Sequence, residues 1–213
     1  MNGGLPVTLT HLTSRLSLVI GGGEIAERKV HALLDANARV RVLAPTVTDE
    51  LSDLARGGKI EWLPRAFHSG DLAEAFLVIA ATDDAQVNRD IAREAQARGQ
   101  LVNVVDGPDY CNFFAPAVVR RGGLTIAIGT GGDVPALAAY LRAQFEQQFG
   151  NEWGEYVEWL ARIRGRIAAR YPDLTARRHA WTRVFNSDLC EFIVAHSGTE
   201  IEKRISEILD ECE

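Results

Sequence analysis

Two carboxylates stand just behind apolar runs, Asp106 where a carboxylate could move protons and Asp84 in a polar cluster that could face a ligand. Asp84 follows Phe76-Leu77-Val78-Ile79-Ala80-Ala81-Thr82-Asp83, and Asp106 follows Leu101-Val102-Asn103-Val104-Val105. A third apolar run, Leu16-Ser17-Leu18-Val19-Ile20, empties into Gly21-Gly22-Gly23 and then Glu24-Ile25-Ala26. Gly21, Gly23 and Ala26 fit the spacing G-x-G-x-x-G/A. In that pattern the first small residue permits a sharp turn, the second lets a pyrophosphate approach the backbone, and the third lets a helix pack closely on a strand. The helix N-terminus behind the turn offers unpaired N–H groups and partial positive charge to an anion. Glycine triplets also occur in plain loops; the strand before this one and the helical spacing after it favour a dinucleotide site.

Each carboxylate also has a plainer reading. An Asp before a helix is an N-cap that needs no ligand, and Asp106 before Gly107-Pro108 suits a tight turn. The polar cluster Thr82-Asp83-Asp84, with Asn88 one turn on, nevertheless stands beyond the carboxyl end of a strand, where open α/β sheets place their ligands. On residue spacing alone both readings of Asp84 and of Asp106 stay open.

The elements that must position these groups follow from periodicity. Ala26, Val30, Leu33 and Leu34 mark one face of a helix, and Val40-Arg41-Val42-Leu43 is a second strand, completing a βαβ unit. Many NAD sites end that strand in an acidic residue that grips the ribose; here it ends in Ala44-Pro45-Thr46, where backbone groups and the Thr46 hydroxyl would substitute. With no basic cluster for a 2′-phosphate, NAD is expected over NADP, Arg41 being the one residue that argues the other way. A helix is expected over 49–55, a strand over 59–63, a short helix over 71–75, a buried parallel strand over 76–81 and a helix over 84–98. The pattern then changes. Residues 113–119 and 124–128 read as two strands joined by Arg120-Arg121-Gly122-Gly123, and Thr130-Gly131-Gly132-Asp133-Val134-Pro135 opens a helix. From 150 to 213 every pattern is helical.

Bulk properties bound the function. The 213 residues are 46% hydrophobic, ample for a core, and the formal charge of −6 argues against a nucleic-acid or anionic-membrane binder. Cys111, Cys190 and Cys212 are three and widely spaced, which fits a reducing compartment, by default the cytoplasm. No leader pattern or bilayer-length apolar run stands in the sequence. With no C-x-x-C or H-E-x-x-H, and with His11, His31, His68, His179 and His196 scattered, no resident metal is expected.

Taken together, Leu5-Pro6-Val7, Arg15, Gly21-Gly22-Gly23-x-Ile25-Ala26-Glu27-Arg28-Lys29, Ala44-Pro45, Ala81-Thr82-Asp83-Asp84-x-x-Val87-Asn88, Asn103-Val104-Val105-Asp106-x-Pro108 and Thr130-Gly131-Gly132-x-x-Pro135 resemble the precorrin-2 dehydrogenase/sirohydrochlorin ferrochelatase family. Arg177-Arg178 with Trp181 extends the resemblance into the helical tail. It implies an α/β fold with a Rossmann-like doubly wound parallel sheet, then a small α+β dimerisation region and a C-terminal helical domain. The corresponding boundaries are 1–113, 114–149 and 150–213. It also implies a homodimer and NAD-dependent conversion of precorrin-2 to sirohydrochlorin, with Fe²⁺ insertion to siroheme as a second activity in which iron is a substrate.

By the same resemblance Gly22, Gly23, Glu24 and Ile25 would line the pyrophosphate, with Gly21 making the turn of the cofactor site, Pro45 and Thr46 would line the adenosine ribose region, and Thr82, Asp83 and Asp84 the nicotinamide side. Asp106 would be the catalytic base. Asn103, Thr130, Gly131, Arg120 and Arg121 would meet the tetrapyrrole, whose many carboxylates call for local cations; Arg28, Lys29 and Arg142 are further candidates. Asp133 stands near where a Ser before the Pro is more usual, a departure that touches substrate contacts. The chain reaches Glu213 without the methyltransferase domain of fused members, so it is not expected to make precorrin-2. The alternatives are a dehydrogenase working beside a separate chelatase, and a non-catalytic NAD-binding regulatory module.

Overall fold

Strand β1 (Leu16–Ile20) is buried along its whole length, as an apolar, partly β-branched run must be when helices cover both faces of a parallel sheet. In the computed structural model, which describes residues 4–210, the chain divides into two compact units, Met1–Ala115 and Pro116–Glu213.

In the first unit β1 is followed by α1 (Glu24–Asp35), β2 (Arg39–Leu43), α2 (Asp49–Arg56), β3 (Glu61–Leu63), β4 (Ala75–Ala80), α3 (Ala85–Ala97) and β5 (Leu101–Val104). The sheet order is β3-β2-β1-β4-β5 and every pairing is parallel. The chain winds outward from β1 in one direction through β2 and β3, then returns to β4 on its other side. That reversal opens a crevice beyond the carboxyl ends of β1 and β4. One core layer joins Val19, Val42 and Ile79 to Ala26 and Val30 of α1. The other joins Leu18, Ile20, Val78 and Val102 to Ile91, Ala92 and Ala95 of α3. Each fully buried Val, Leu or Ile contributes about 1.5–3 kcal/mol.

Two local expectations are corrected. Residues 71–74 form turns rather than a helix, because the Asp71 carboxylate receives the fork of Arg65 at 2.7 and 2.8 Å and the backbone N–H of His68 at 2.8 Å. Those bonds fold the segment back on itself, Leu72 is fully buried beneath it, and Ala75 already belongs to β4.

The second correction falls in the other unit, where β6 (Ala117–Arg121) and β7 (Leu124–Ile128) form an antiparallel hairpin. The strand starts at Ala117 rather than at Phe113, since Pro116 has no N–H to give a ladder. Arg120 and Arg121 lie inside the strand, and only Gly122-Gly123 turn. Gly122 has φ +52°, and a Cβ on it would stand 3.0 Å from the Gly154 Cα, so two glycines permit the turn to lie against the next helix. Helices α4 (Pro135–Gln148), α5 (Glu152–Arg170), α6 (Leu174–Asn186), α7 (Leu189–Ala195) and α8 (Gly198–Asp210) complete the unit. Its core joins Trp159, Ile163 and Ile167 to Val184, Leu189, Ile201 and Ile205. Cys212 lies outside the described residues. Among the described residues no helix is long and apolar enough to cross a membrane.

Candidate dinucleotide and catalytic site

The three glycines after β1 do three different things. Gly21 takes φ +123°, and a Cβ there would stand 2.1 Å from the Ala81 carbonyl oxygen. A Cβ on Gly22 would stand 2.0 Å from the Thr46 carbonyl oxygen, and the Gly22 carbonyl accepts from Thr48 N–H at 3.0 Å. Gly22 therefore packs the turn onto the loop after β2. Around Gly23 the space is open. It is the N-cap of α1 and has no side chain to satisfy the first N–H groups of that helix, so those donors stand free for an anion. Ala26, fully buried, closes the pattern against the sheet. The loop beside it is fixed by Thr48, whose hydroxyl donates to Glu27 Oε2 at 2.6 Å and accepts from Leu51 N–H at 3.3 Å.

Beyond the ends of β1, β4 and β5 lies a cavity of about 610 Å³. Gly23, Glu24 and Ile25 form one wall; Thr82 and Asp83, with Asn88 and Arg89 of α3, form the second; Val105, Asp106, Gly107 and Tyr110 form the third. The expected glycine turn and the expected base thus share one cavity. Asp106 is exposed and holds φ +57°, a left-handed conformation uncommon outside glycine and most tolerated by Asn and Asp. It arises because the chain reverses immediately behind β5, with Gly107 N–H donating to Val104 O at 3.3 Å. Asp106 is thus both the turn residue of the plain reading and a carboxylate on the cavity wall.

The wall after β4 is braced from within. The buried Asn88 amide donates to Thr82 O at 2.9 Å, and its Oδ1 accepts from Thr82 N–H at 3.3 Å and from the Thr82 hydroxyl at 2.8 Å. Asp84 is the N-cap of α3, its Oδ1 accepting from Gln86 N–H at 2.7 Å and Val87 N–H at 3.2 Å. That oxygen is engaged, and Asp84 is not among the residues lining the cavity. Nor are Gly21, Gly22, Pro45 and Thr46, of which Pro45 and Thr46 are exposed on the loop after β2. Arg41 is paired with Glu61 at 2.8 Å and Glu74 at 3.6 Å, so its charge is matched on the sheet.

The residues expected at the tetrapyrrole are held in other ways. Asn103 is buried, and its Nδ2 donates to Phe113 O at 3.1 Å and toward Cys111 Sγ at 3.6 Å. Cys111 also accepts from Val104 N–H at 3.1 Å, and burial pushes its thiol above the ordinary range. Lys29 is held below its usual value, first by burial and then by the neighbouring Arg28. In the second unit Arg121 donates to Phe149 O at 2.8 Å and Glu146 O at 3.0 Å, capping the end of α4. Arg142 pairs with Glu146. Arg120 and Gly131 are exposed, and Thr130 Oγ1 accepts from Val134 N–H at 3.3 Å ahead of α4. Among the described residues no cluster of His, Cys, Asp and Glu is arranged to hold a metal ion.

Sequence reasoning overlooked Arg89 and Tyr110 as cavity residues. Ala85, Asn88 and Arg89 stand at i, i+3 and i+4, so the face of α3 that carries Asn88 also carries Arg89. That spacing was the available signal. Nothing comparable marks Tyr110, which the single turn after Asp106 brings to the wall.

An all-parallel sheet, a glycine turn, an uncapped helix N-terminus and a cavity beyond the strand ends define a dinucleotide-binding domain of the Rossmann class. Residues 9–117 match the sequence family described as "Putative NAD(P)-binding", and the chain belongs to that family. Residues 152–209 match the family described as "Sirohaem synthase dimerisation region". The chain is similar to the siroheme synthase of Pseudomonas entomophila (strain L48), 44% identical over 194 residues that make up 91% of this chain and 42% of that protein. It is also similar to the siroheme synthase of Chromobacterium violaceum, 40% identical over 193 residues that make up 89% of this chain and 41% of that protein. The chain thus spans about two fifths of the length of these curated relatives. A solved structure of SirC, precorrin-2 dehydrogenase, shares the fold with a TM-score of 0.74 at 24% identity, over 96% of this chain and 98% of that one.

Proposed function

We propose that this chain is an NAD-dependent dehydrogenase that converts precorrin-2 to sirohydrochlorin, and that it also inserts Fe²⁺ to give siroheme. The observation that carries the reading is the single cavity walled by Gly23 on one side and Asp106 on the other. The likeness to siroheme synthases supports the choice of substrate. The open backbone at Gly23 and the uncapped start of α1 suit a dinucleotide pyrophosphate. Bound there, NAD supplies the hydride acceptor.

In this mechanism the residues of the chain orient and deprotonate. Asn88 holds Thr82 rigid, and with it the wall assigned to the nicotinamide side. Asp106 accepts the proton that leaves the macrocycle as hydride departs from carbon, so that precorrin-2 and NAD⁺ become sirohydrochlorin, NADH and a proton. In chelation the same carboxylate accepts a pyrrole proton as Fe²⁺ enters, two protons leaving in all. An exposed carboxylate at a cavity wall, free to exchange its proton with water between steps, suits both tasks.

The chain works as a homodimer in this reading. Val134, Leu137 and Tyr140 at and within α4 are 48%, 46% and 61% exposed, and we assign 114–149 together with the helices of 152–209 to the contact between copies. Thr130, Gly131, Arg120 and Arg121 are kept as substrate-side residues in that assembly.

The test is an assay of purified protein with precorrin-2 and NAD, with and without Fe²⁺. NADH formation, followed by siroheme when iron is present, is expected. NAD binding with no turnover of precorrin-2 would point instead to a regulatory module, and NADH formation without siroheme to a dehydrogenase that leaves iron to another protein.

A further inference from the structure

We propose that Arg89 is the anion anchor of this cavity, its guanidinium holding a peripheral carboxylate of the macrocycle. The inference rests on the dehydrogenase reading above and adds a residue that sets substrate affinity.

Charge balance in the cavity is the starting point. Its lining carries three carboxylates, Glu24, Asp83 and Asp106, and among the described residues Arg89 is its one basic side chain. A polyanion entering there is repelled by every charged wall except that one. With the N–H groups at the start of α1 taken by the pyrophosphate, favourable binding energy for a carboxylate is concentrated at Arg89.

The state of Arg89 fits the role. It is half-buried, and its Nη2 and Nε donate to Gln86 Oε1 at 2.7 and 3.3 Å. That acceptor is neutral, so the side chain is oriented without its charge being matched. Gln86 is held in turn, its Nε2 donating to Asp90 Oδ1 at 3.0 Å. One turn further along, Arg93 shows the opposite case, an arginine paired directly with Asp90 at 3.3 Å. A planar guanidinium with N–H groups to spare matches a carboxylate in two-pronged fashion, which a lysine does not reproduce. The position also separates the two anions of the reaction: the pyrophosphate has the start of α1, while Arg89 stands on α3.

The test compares wild type with Arg89→Gln and Arg89→Lys by titrating sirohydrochlorin and, separately, NAD, and by measuring KM and kcat for precorrin-2. In Arg89→Gln, sirohydrochlorin affinity is expected to fall about ten- to a hundredfold with a matching rise in KM. NAD affinity and kcat stay as in wild type, and the salt dependence of macrocycle binding flattens. Arg89→Lys should recover part of the loss. Unchanged sirohydrochlorin affinity in Arg89→Gln overturns the anchor and leaves the dehydrogenase reading intact. Weakened NAD binding overturns it too, because the guanidinium would then serve the cofactor. Wild type that binds NAD but no sirohydrochlorin overturns both.

Discussion

The sheet of the first unit and the hairpin of the second are both built from apolar strands, yet they bury them very differently. All five residues of β1 and five of the six in β4 are buried, whereas in β6 and β7 only Val119 is. The helix that follows the hairpin, α4, buries only Ala138. The sheet is covered by helices of its own chain and is complete there. In the hairpin and α4 the apolar surface remains available, which is why we assign that stretch to the contact between copies.

The largest effect that would sharpen this contrast is at Gly21. Gly21→Ala drives a methyl group into the Ala81 carbonyl at a positive φ, and should cost more than about 3 kcal/mol of stability in urea unfolding. Gly23→Ala, two residues on in open space, should leave stability nearly unchanged and weaken NAD. A comparable loss in both variants would break the distinction between a packing glycine and a binding one.

Next comes the exposed face of α4. Replacing Leu137 and Tyr140 together by Glu should convert a dimer to monomers by light scattering, each lost apolar contact being worth about 1.5–3 kcal/mol. The sheet unit should still bind NAD. A dimer that survives would show that the exposed face of α4 is not the contact.

Smaller again is Thr48→Ala, which removes the cap of α2 and the tie to Glu27. A loss of about 1 kcal/mol is expected in the same unfolding assay. The smallest effect is at Asp71, whose carboxyl is held below the usual carboxylate range first by its hydrogen bond from Arg65 and then by the His68 N–H. A depressed folded pKa gives stability that is present above the unfolded value, about 3.9, and is lost as pH falls through the folded one. The gap between wild type and Asp71→Asn should therefore be largest near neutral pH and close in acid. A gap independent of pH would mean that the ion pair contributes nothing.

Much of the fold was legible because its signals are local. The run from Phe76 to Ala81 reads as a buried strand, and β4 covers Ala75–Ala80; a glycine at position 21 is required by the turn itself. The turns at 71–74 escaped because their cause, the fork of Arg65 on Asp71, joins residues six apart in a stretch whose spacing also suits a helix. The false start of β6 came from reading apolar character at Phe113 and Phe114 past Pro116.

At the site, Asp106 and the glycine turn were readable as strand ends, while Asn103 was not. Its amide is directed to Phe113 O, ten residues away, a pairing that exists only once the chain has turned behind β5. Arg89 carries no signal in the sequence beyond its place four residues after Ala85 on α3. At Asp84 both readings had a basis in the sequence, and its hydrogen bonds are those of a cap.

In the proposed reaction Asp106 acts chemically in a site that binds the cofactor without it. The most direct measurement uses Asp106→Asn, which keeps a residue type tolerant of the left-handed backbone there, and compares NAD affinity with the rate of NADH formation from precorrin-2. The prediction is unchanged NAD affinity with a rate lowered by about 10²–10⁴-fold. NADH formed by the variant at the wild-type rate would contradict it.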